Sequence, residues 1–320
     1  MMDNPLQVGS PDSVESVLQL DLAHGDALAG TIAPILRHLL ANDDHSVFGD
    51  EIIARVRGML RHVAAQMFAA LAQASDPADL SEPDPDQVQV LAERLVAQPG
   101  LLAHCHALAL EWQLTDRMQA RLSLDPVLSP LVQALIASTE PGTSGIAMSL
   151  LAAQARFAQQ QRRMELPLAE LPGDHLHFAL VAFRAVLDEA DAAALQVAEA
   201  AMRGRHDEAR SRLGLIARII TSMGGGATAA LSVSHAGVAL FLSALAIGSG
   251  QDRDMAVLAT NVGQLARLAL TLRSAGLRTP AVEENFLSLH PEIALPDGFD
   301  TLGADRAAAL LANSSAYPRM

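Results

Sequence analysis

No lysine occurs among the 320 residues, so all 22 basic side chains other than histidine are arginine. A phosphate-loop lysine, a Schiff-base lysine and a kinase-type phosphate-pairing lysine are therefore excluded. Arginine-rich coding bias accounts for the absence, and the exclusion holds whatever its cause. Aromatic residues are also scarce, at 3%, while half the chain is hydrophobic and the mean hydropathy is +0.23. The core must then be built from alanine, leucine, valine and isoleucine, with alanine and leucine the strongest helix formers. The single cysteine, Cys105, cannot form an internal disulfide, which suits a reducing compartment. Residues 1–14 are polar and acidic and lack the basic segment followed by an apolar core that marks a secretory signal.

A formal charge of −14 opposes nonspecific attraction to nucleic acid, whose affinity comes largely from neutralised phosphates. Arginines do gather locally, as Arg55, Arg57 and Arg61, as Arg162 and Arg163, and as Arg203, Arg205, Arg210 and Arg212. Each group falls in an apolar helical pattern without interleaved aromatics for base stacking, so nucleic acid is not the expected partner.

Charge is missing altogether from residues 219–251, where only His235 can titrate. Such a run either crosses a bilayer or lies inside a helical core, because both exclude unpaired charge. The three glycines at 224–226 divide it, and residues 227–247 then form a segment long enough to span about 30 Å of hydrocarbon. Ser232, Ser234, His235 and Ser243, and flanks without Trp or Tyr, favour a buried central helix. The arginines from Arg203 to Arg218 are what a membrane reading would use as its cytoplasmic flank.

Apolar periodicity elsewhere is helical. Ile52, Val56, Met59, Leu60, Val63, Met67 and Leu71 repeat at steps of three and four. Arg55, Arg61, His62 and Gln66 fall largely off that stripe. Ser129 before Pro130 and Thr279 before Pro280 read as caps with proline at the first helical position. The spacing predicts main helices over 27–41, 50–73, 86–98, 101–122, 127–138, 145–164, 174–202, 205–222, 227–248, 253–275 and 303–312. The acidic, proline-rich stretch 75–87 is the clearest linker. It suggests an N-terminal helical region over 1–80, a main helical domain over 81–290 and a turn-rich tail with one short helix over 291–320.

Motifs that carry chemistry are few. HExxH, ExxH and paired CxxC patterns do not occur. His104 and His106 stand two apart, so a helix turns them about 200° from each other. Asp174, His175 and His177 are the candidate metal ligands, because a frayed first turn could let the two histidines converge. Asn42, Asp43, Ser46 and Asp50 have a spacing similar to the second metal motif of class I terpene synthases. The aspartate-rich partner is missing, since Asp188, Glu189 and Asp191 have the wrong spacing, and an acidic loop capping the next helix accounts for the same residues.

The expected fold is all-α, an irregular multi-helix bundle or short helical array around a nearly charge-free buried central helix. Abundant helix without a convergent catalytic motif points to a non-catalytic, cytoplasmic, bacterial-type protein without a cofactor. It would act through protein-protein contacts, with a partner or with itself, as regulator, adaptor or homo-oligomeric scaffold. Arg55, Arg57 and Arg61 are the candidate contact surface. Two other readings stand beside it: a membrane-associated protein anchored through 227–247, and a small-ligand or metal-binding helical enzyme with its site near His175, His177 and His235.

Overall fold

Prolines and short polar caps set where the helices begin. In the computed structural model, which describes residues 14–41, 49–76, 78, 81–187 and 192–314, Pro85, Pro99, Pro130 and Pro141 each open a helix. Proline suits that position because its missing N–H would have no intrahelical partner there. Asp84, Ser129 and Ser211 cap three helices by accepting N–H bonds from Asp86, Val132 and Gly214. Asn42, Asp43, Ser46, Asp188, Glu189 and Asp191, with residues 1–13, lie outside the described residues.

The architecture is an all-α multi-helix array, and no strand occurs among the described residues. Its first half comprises α1 (Val14–Ala41), α2 (Asp50–Ser75), α3 (Pro85–Val96), α4 (Pro99–Leu122), α5 (Pro130–Ile136), α6 (Pro141–Arg162), α7 (Gly173–Arg184) and α8 (Ala192–Arg205). The second half comprises α9 (Arg212–Ser222), α10 (Val233–Ala236), α11 (Val238–Ser249), α12 (Arg253–Ala259), α13 (Leu265–Ser274), α14 (Thr279–Leu289) and α15 (Ala304–Ala312).

Two apolar cores form. The expected α2 stripe from Ile52 to Met67 is buried against Val88, Leu91 and Leu95 of α3, with α7 and α8 completing that core. The second core surrounds α11 and takes side chains from α5, α6 and α9 to α15. The helix α4 serves both: Leu101, Leu102, Cys105 and Trp112 enter the first, Ala107, Leu114 and Met118 the second. The helices on either side of the 75–87 stretch, α2 and α3, thus share a core. Phe299, Leu302, Leu310 and Leu311 of the 291–320 region belong to the second core, where α15 lies along α13.

The charge-free run does not form one helix over 227–248. A 3-10 segment, Gly224–Leu231, leads into α10, and Gly237 breaks the chain before α11. At Gly237 φ is +76°, and an added Cβ would stand 2.9 Å from Ser129 Cβ, so only glycine fits both the turn and the close approach. The irregular backbone is satisfied by buried Asn285, whose Oδ1 accepts the Val233 N–H at 3.1 Å while its amide donates to Leu231 O at 3.0 Å. What remains, α11, is buried from Val238 to Ala246, as a central helix must be when it is apolar all round.

No single helix among the described residues is long and apolar enough to cross a membrane. The 12 residues of α11 rise about 18 Å, against roughly 30 Å of hydrocarbon. The pair α12 and α13 has the required composition but turns through 111°. Thr260 and Asn261 make this turn, bonding back to Val257 O and Leu258 O in place of the helical ladder.

Other boundaries differ as well. The first helix begins at Val14 rather than 27, α7 stops at Arg184 and α8 starts at Ala192. The Pro280 signal does start a helix, α14, with Arg278 rather than Thr279 as its cap.

Candidate functional site

Polar side chains converge where α4, α7 and α12 meet. On α4, His104 and Glu111 are seven residues apart, two turns of helix, and so share a face. The first two residues of α12 meet that face: Asp254 Oδ1 lies 3.4 Å from His104 Nδ1, and Arg253 Nη2 lies 3.0 Å from Glu111 Oε2. The first turn of α7 brings His175 to the upper pair, its ring centroid 5.2 Å from that of His104 with the planes at 44°. Gly100, one turn before His104, leaves room for this ring, since a Cβ there would come 3.3 Å from His175 Cε1.

His104, His175 and Asp254 each offer one donor atom, and these atoms lie within 4.8 Å of one another. His104 is 2% exposed, whereas His175 and Asp254 are partly buried. His104 Nε2 and His175 Nδ1 are buried without a hydrogen-bond partner. Burial lowers the His175 pKa, and the neighbouring His104 charge lowers it further. For Asp254, desolvation pushes upward, but the charge and hydrogen bond of His104, with Arg253 and His175, hold the carboxyl below its ordinary value. Burial also takes His106 down to about 4, against the pull of Asp254, and raises the Cys105 thiol. The trio thus sets one carboxylate beside two imidazoles.

Below it lies a buried charge cluster. Arg212, 2% exposed, holds Glu111 with both nitrogens, at 2.7 and 3.0 Å, and reaches Gln154 Oε1 at 3.3 Å. Its guanidinium stacks 3.6 Å over the Phe157 ring, and its backbone N–H donates to Glu170 at 2.8 Å. Arg253 Nη2 joins as an ion pair off the line of a hydrogen bond, while its Nε donates to Ser243 Oγ at 2.9 Å. Desolvation works against the Glu111 charge, yet Arg212 and Arg253 outweigh it and pull the pKa down to about 2. A bidentate arginine-carboxylate pair of this kind fastens helices far apart in sequence: α4, α9 and α12.

Of the residues singled out from the sequence, His175 enters this cluster. Asp174 is exposed at the start of α7, its Oδ1 3.8 Å from His175 Nδ1, and His177 is exposed beside Phe178. His235 is exposed on α10. Arg55 points inward: it bonds Glu51 and Gln161 O and lies 5.5 Å from the Trp112 ring centroid, whereas Arg61 is exposed and Arg57 half-buried. His104 and Asp254, 150 residues apart, had no shared local signal. The only hint was that His104 sits two turns from Glu111 on one face.

On the outside, α1 carries a second apolar stripe. Val17, Leu20 and Leu28, with His24 between them, face about 130° away from the buried Leu18, Leu22 and Ala29. Leu20 is 72% exposed, and Leu28 lies against the segment that presents Val262, itself 66% exposed. A cleft beside Gly237, lined by Ser129, Gln154 and Val238 among others, has a volume of about 20 Å³, room for about one water. No family model, curated protein or solved structure matches the chain.

Proposed function

We propose that this protein is a non-catalytic helical scaffold that acts through protein-protein contact, and that a second copy of the chain docks on the outward stripe of α1. The observation that carries this reading is the two-faced character of α1. Leu18, Leu22 and Ala29 anchor it to the fold, while Val17, Leu20 and Leu28, joined by Val262, leave an apolar strip in water. Contiguous exposed apolar surface of this kind is characteristic of contact sites.

A homodimer suits the strip because a two-fold contact is self-complementary and needs only one surface. Antiparallel packing of two α1 helices about His24 places Leu20 of one copy against Leu28 of the other. Exposed Asp21 stands at the margin, as a polar rim requires.

The test is light-scattering chromatography of the full chain over a range of concentrations, with the variant Leu20→Arg/Leu28→Arg in parallel. A dimer that the double substitution converts to monomer, with helical circular dichroism unchanged, is the expected outcome. A monomer at every concentration, or an association state indifferent to both substitutions, overturns the reading.

A further inference from the structure

We propose that His104, His175 and Asp254 form a three-ligand site for a divalent transition-metal ion of the zinc class, joining α4, α7 and α12. Two imidazole nitrogens and one carboxylate oxygen make a donor set suited to zinc and its first-row neighbours, whereas calcium and magnesium take oxygen ligands. Three protein ligands leave a fourth position for water, as in open zinc sites.

Geometry supports the assignment. The 3.4 Å between His104 Nδ1 and Asp254 Oδ1 is long for a charge-assisted hydrogen bond. It equals the edge of about 3.4 Å expected between two ligands of a tetrahedral ion with legs of about 2.0–2.1 Å. The third donor lies within 4.8 Å of both, and a modest side-chain rotation of His175 closes the remainder. Gly100 keeps that ring's path clear.

A second observation is independent of these distances. His104 Nε2 and His175 Nδ1 are both buried without a hydrogen-bond partner, side by side at the same three-helix junction. A bound ion accounts for such orphaned nitrogens, by coordinating one or by drawing the ring toward a partner for the other. Two neutral imidazoles and one carboxylate leave the occupied site with a single net positive charge.

The α1 stripe contributes none of the three ligands, so this inference and the proposed self-association fail separately. Chelator-treated full-length protein is titrated with Zn(II) by calorimetry and with Co(II) by visible absorption. Expected are one ion per chain, a higher melting temperature in the occupied form, and Co(II) bands of four-coordinate intensity. His175→Gln and Asp254→Asn should each weaken binding at least tenfold, while His177→Gln, at an exposed position, leaves it unchanged. Equal Zn(II) binding in wild type, His175→Gln and Asp254→Asn, or loss in His177→Gln, overturns the site. So does the lack of a saturable equivalent in wild type. Should a substitution unfold the chain, the wild-type Co(II) spectrum decides: weak six-coordinate bands refute the tetrahedral site.

Discussion

Replacing Glu111 by glutamine removes the one negative charge that buried Arg212 and partly buried Arg253 share. The side chain is fully buried, and Arg212 beside it is 2% exposed, so water cannot compensate for the lost partner. Breaking a buried pair by removing one member costs about 3–5 kcal/mol, because the remaining ion stays desolvated. The carboxyl's own equilibrium gives a figure of the same size. A fall from an ordinary 4.5 to about 2, at about 1.4 kcal/mol per tenfold, corresponds to about 3 kcal/mol of stability.

The sign follows from the direction of that fall. Because the folded pKa lies below the unfolded one, the contribution is complete above about pH 4.5 and disappears as pH drops toward 2. Urea unfolding followed by circular dichroism should therefore place Glu111→Gln about 3–5 kcal/mol below wild type at pH 7. The gap should close between pH 4.5 and 2, where the wild-type carboxyl becomes protonated and resembles the amide. A gap under about 1 kcal/mol at pH 7, or one that persists unchanged at the acid end, refutes the reasoning. The double variant Glu111→Gln/Arg212→Met isolates the pairwise part: it should lose much less than the two single changes added together.

Three further outcomes rest on single contacts. Gly237→Ala forces a side chain into a backbone region open essentially only to glycine and onto Ser129, and should lower stability by about 1–3 kcal/mol in the same urea assay. Asn285→Ala strands the Val233 N–H and Leu231 C=O inside the fold; a loss of about 1–3 kcal/mol is expected, and no change in midpoint would contradict it. Arg55→Met should destabilise measurably through the lost bonds to Glu51 and Gln161 O, whereas Arg61→Ala stays within about 0.5 kcal/mol of wild type by thermal melting.

The arginines mark a limit of reading from sequence. Arg55, Arg57 and Arg61 look alike on an apolar-striped helix, yet Arg55 is enclosed by Glu51, Gln161 and Trp112 while Arg61 meets water. Helical periodicity assigns a side chain to an angle about the axis, and says nothing of a polar partner waiting at that angle on another helix. The same holds for Arg212, which reads as one of several basic residues before an apolar run and lies instead under Glu111 and over Phe157.

What the sequence determined by itself is the material. Abundant alanine and leucine, few aromatics and a 3.6-residue rhythm specify helix, and the proline-led starts of α3 to α6 follow from chemistry within one turn. The absence of charge over 219–251 pointed to enclosure, which α11 has and the mostly exposed stretch 221–229 does not. Tertiary structure decided the rest. It broke the apolar run at Gly237, because Ser129 and Asn285 approach from elsewhere in the chain. It also drew together His104, His175 and Asp254, which no local spacing connects. Local propensity acts over a few residues and is legible in order along the chain, whereas a polar cluster arises from where packed helices cross, set by the burial of many side chains at once.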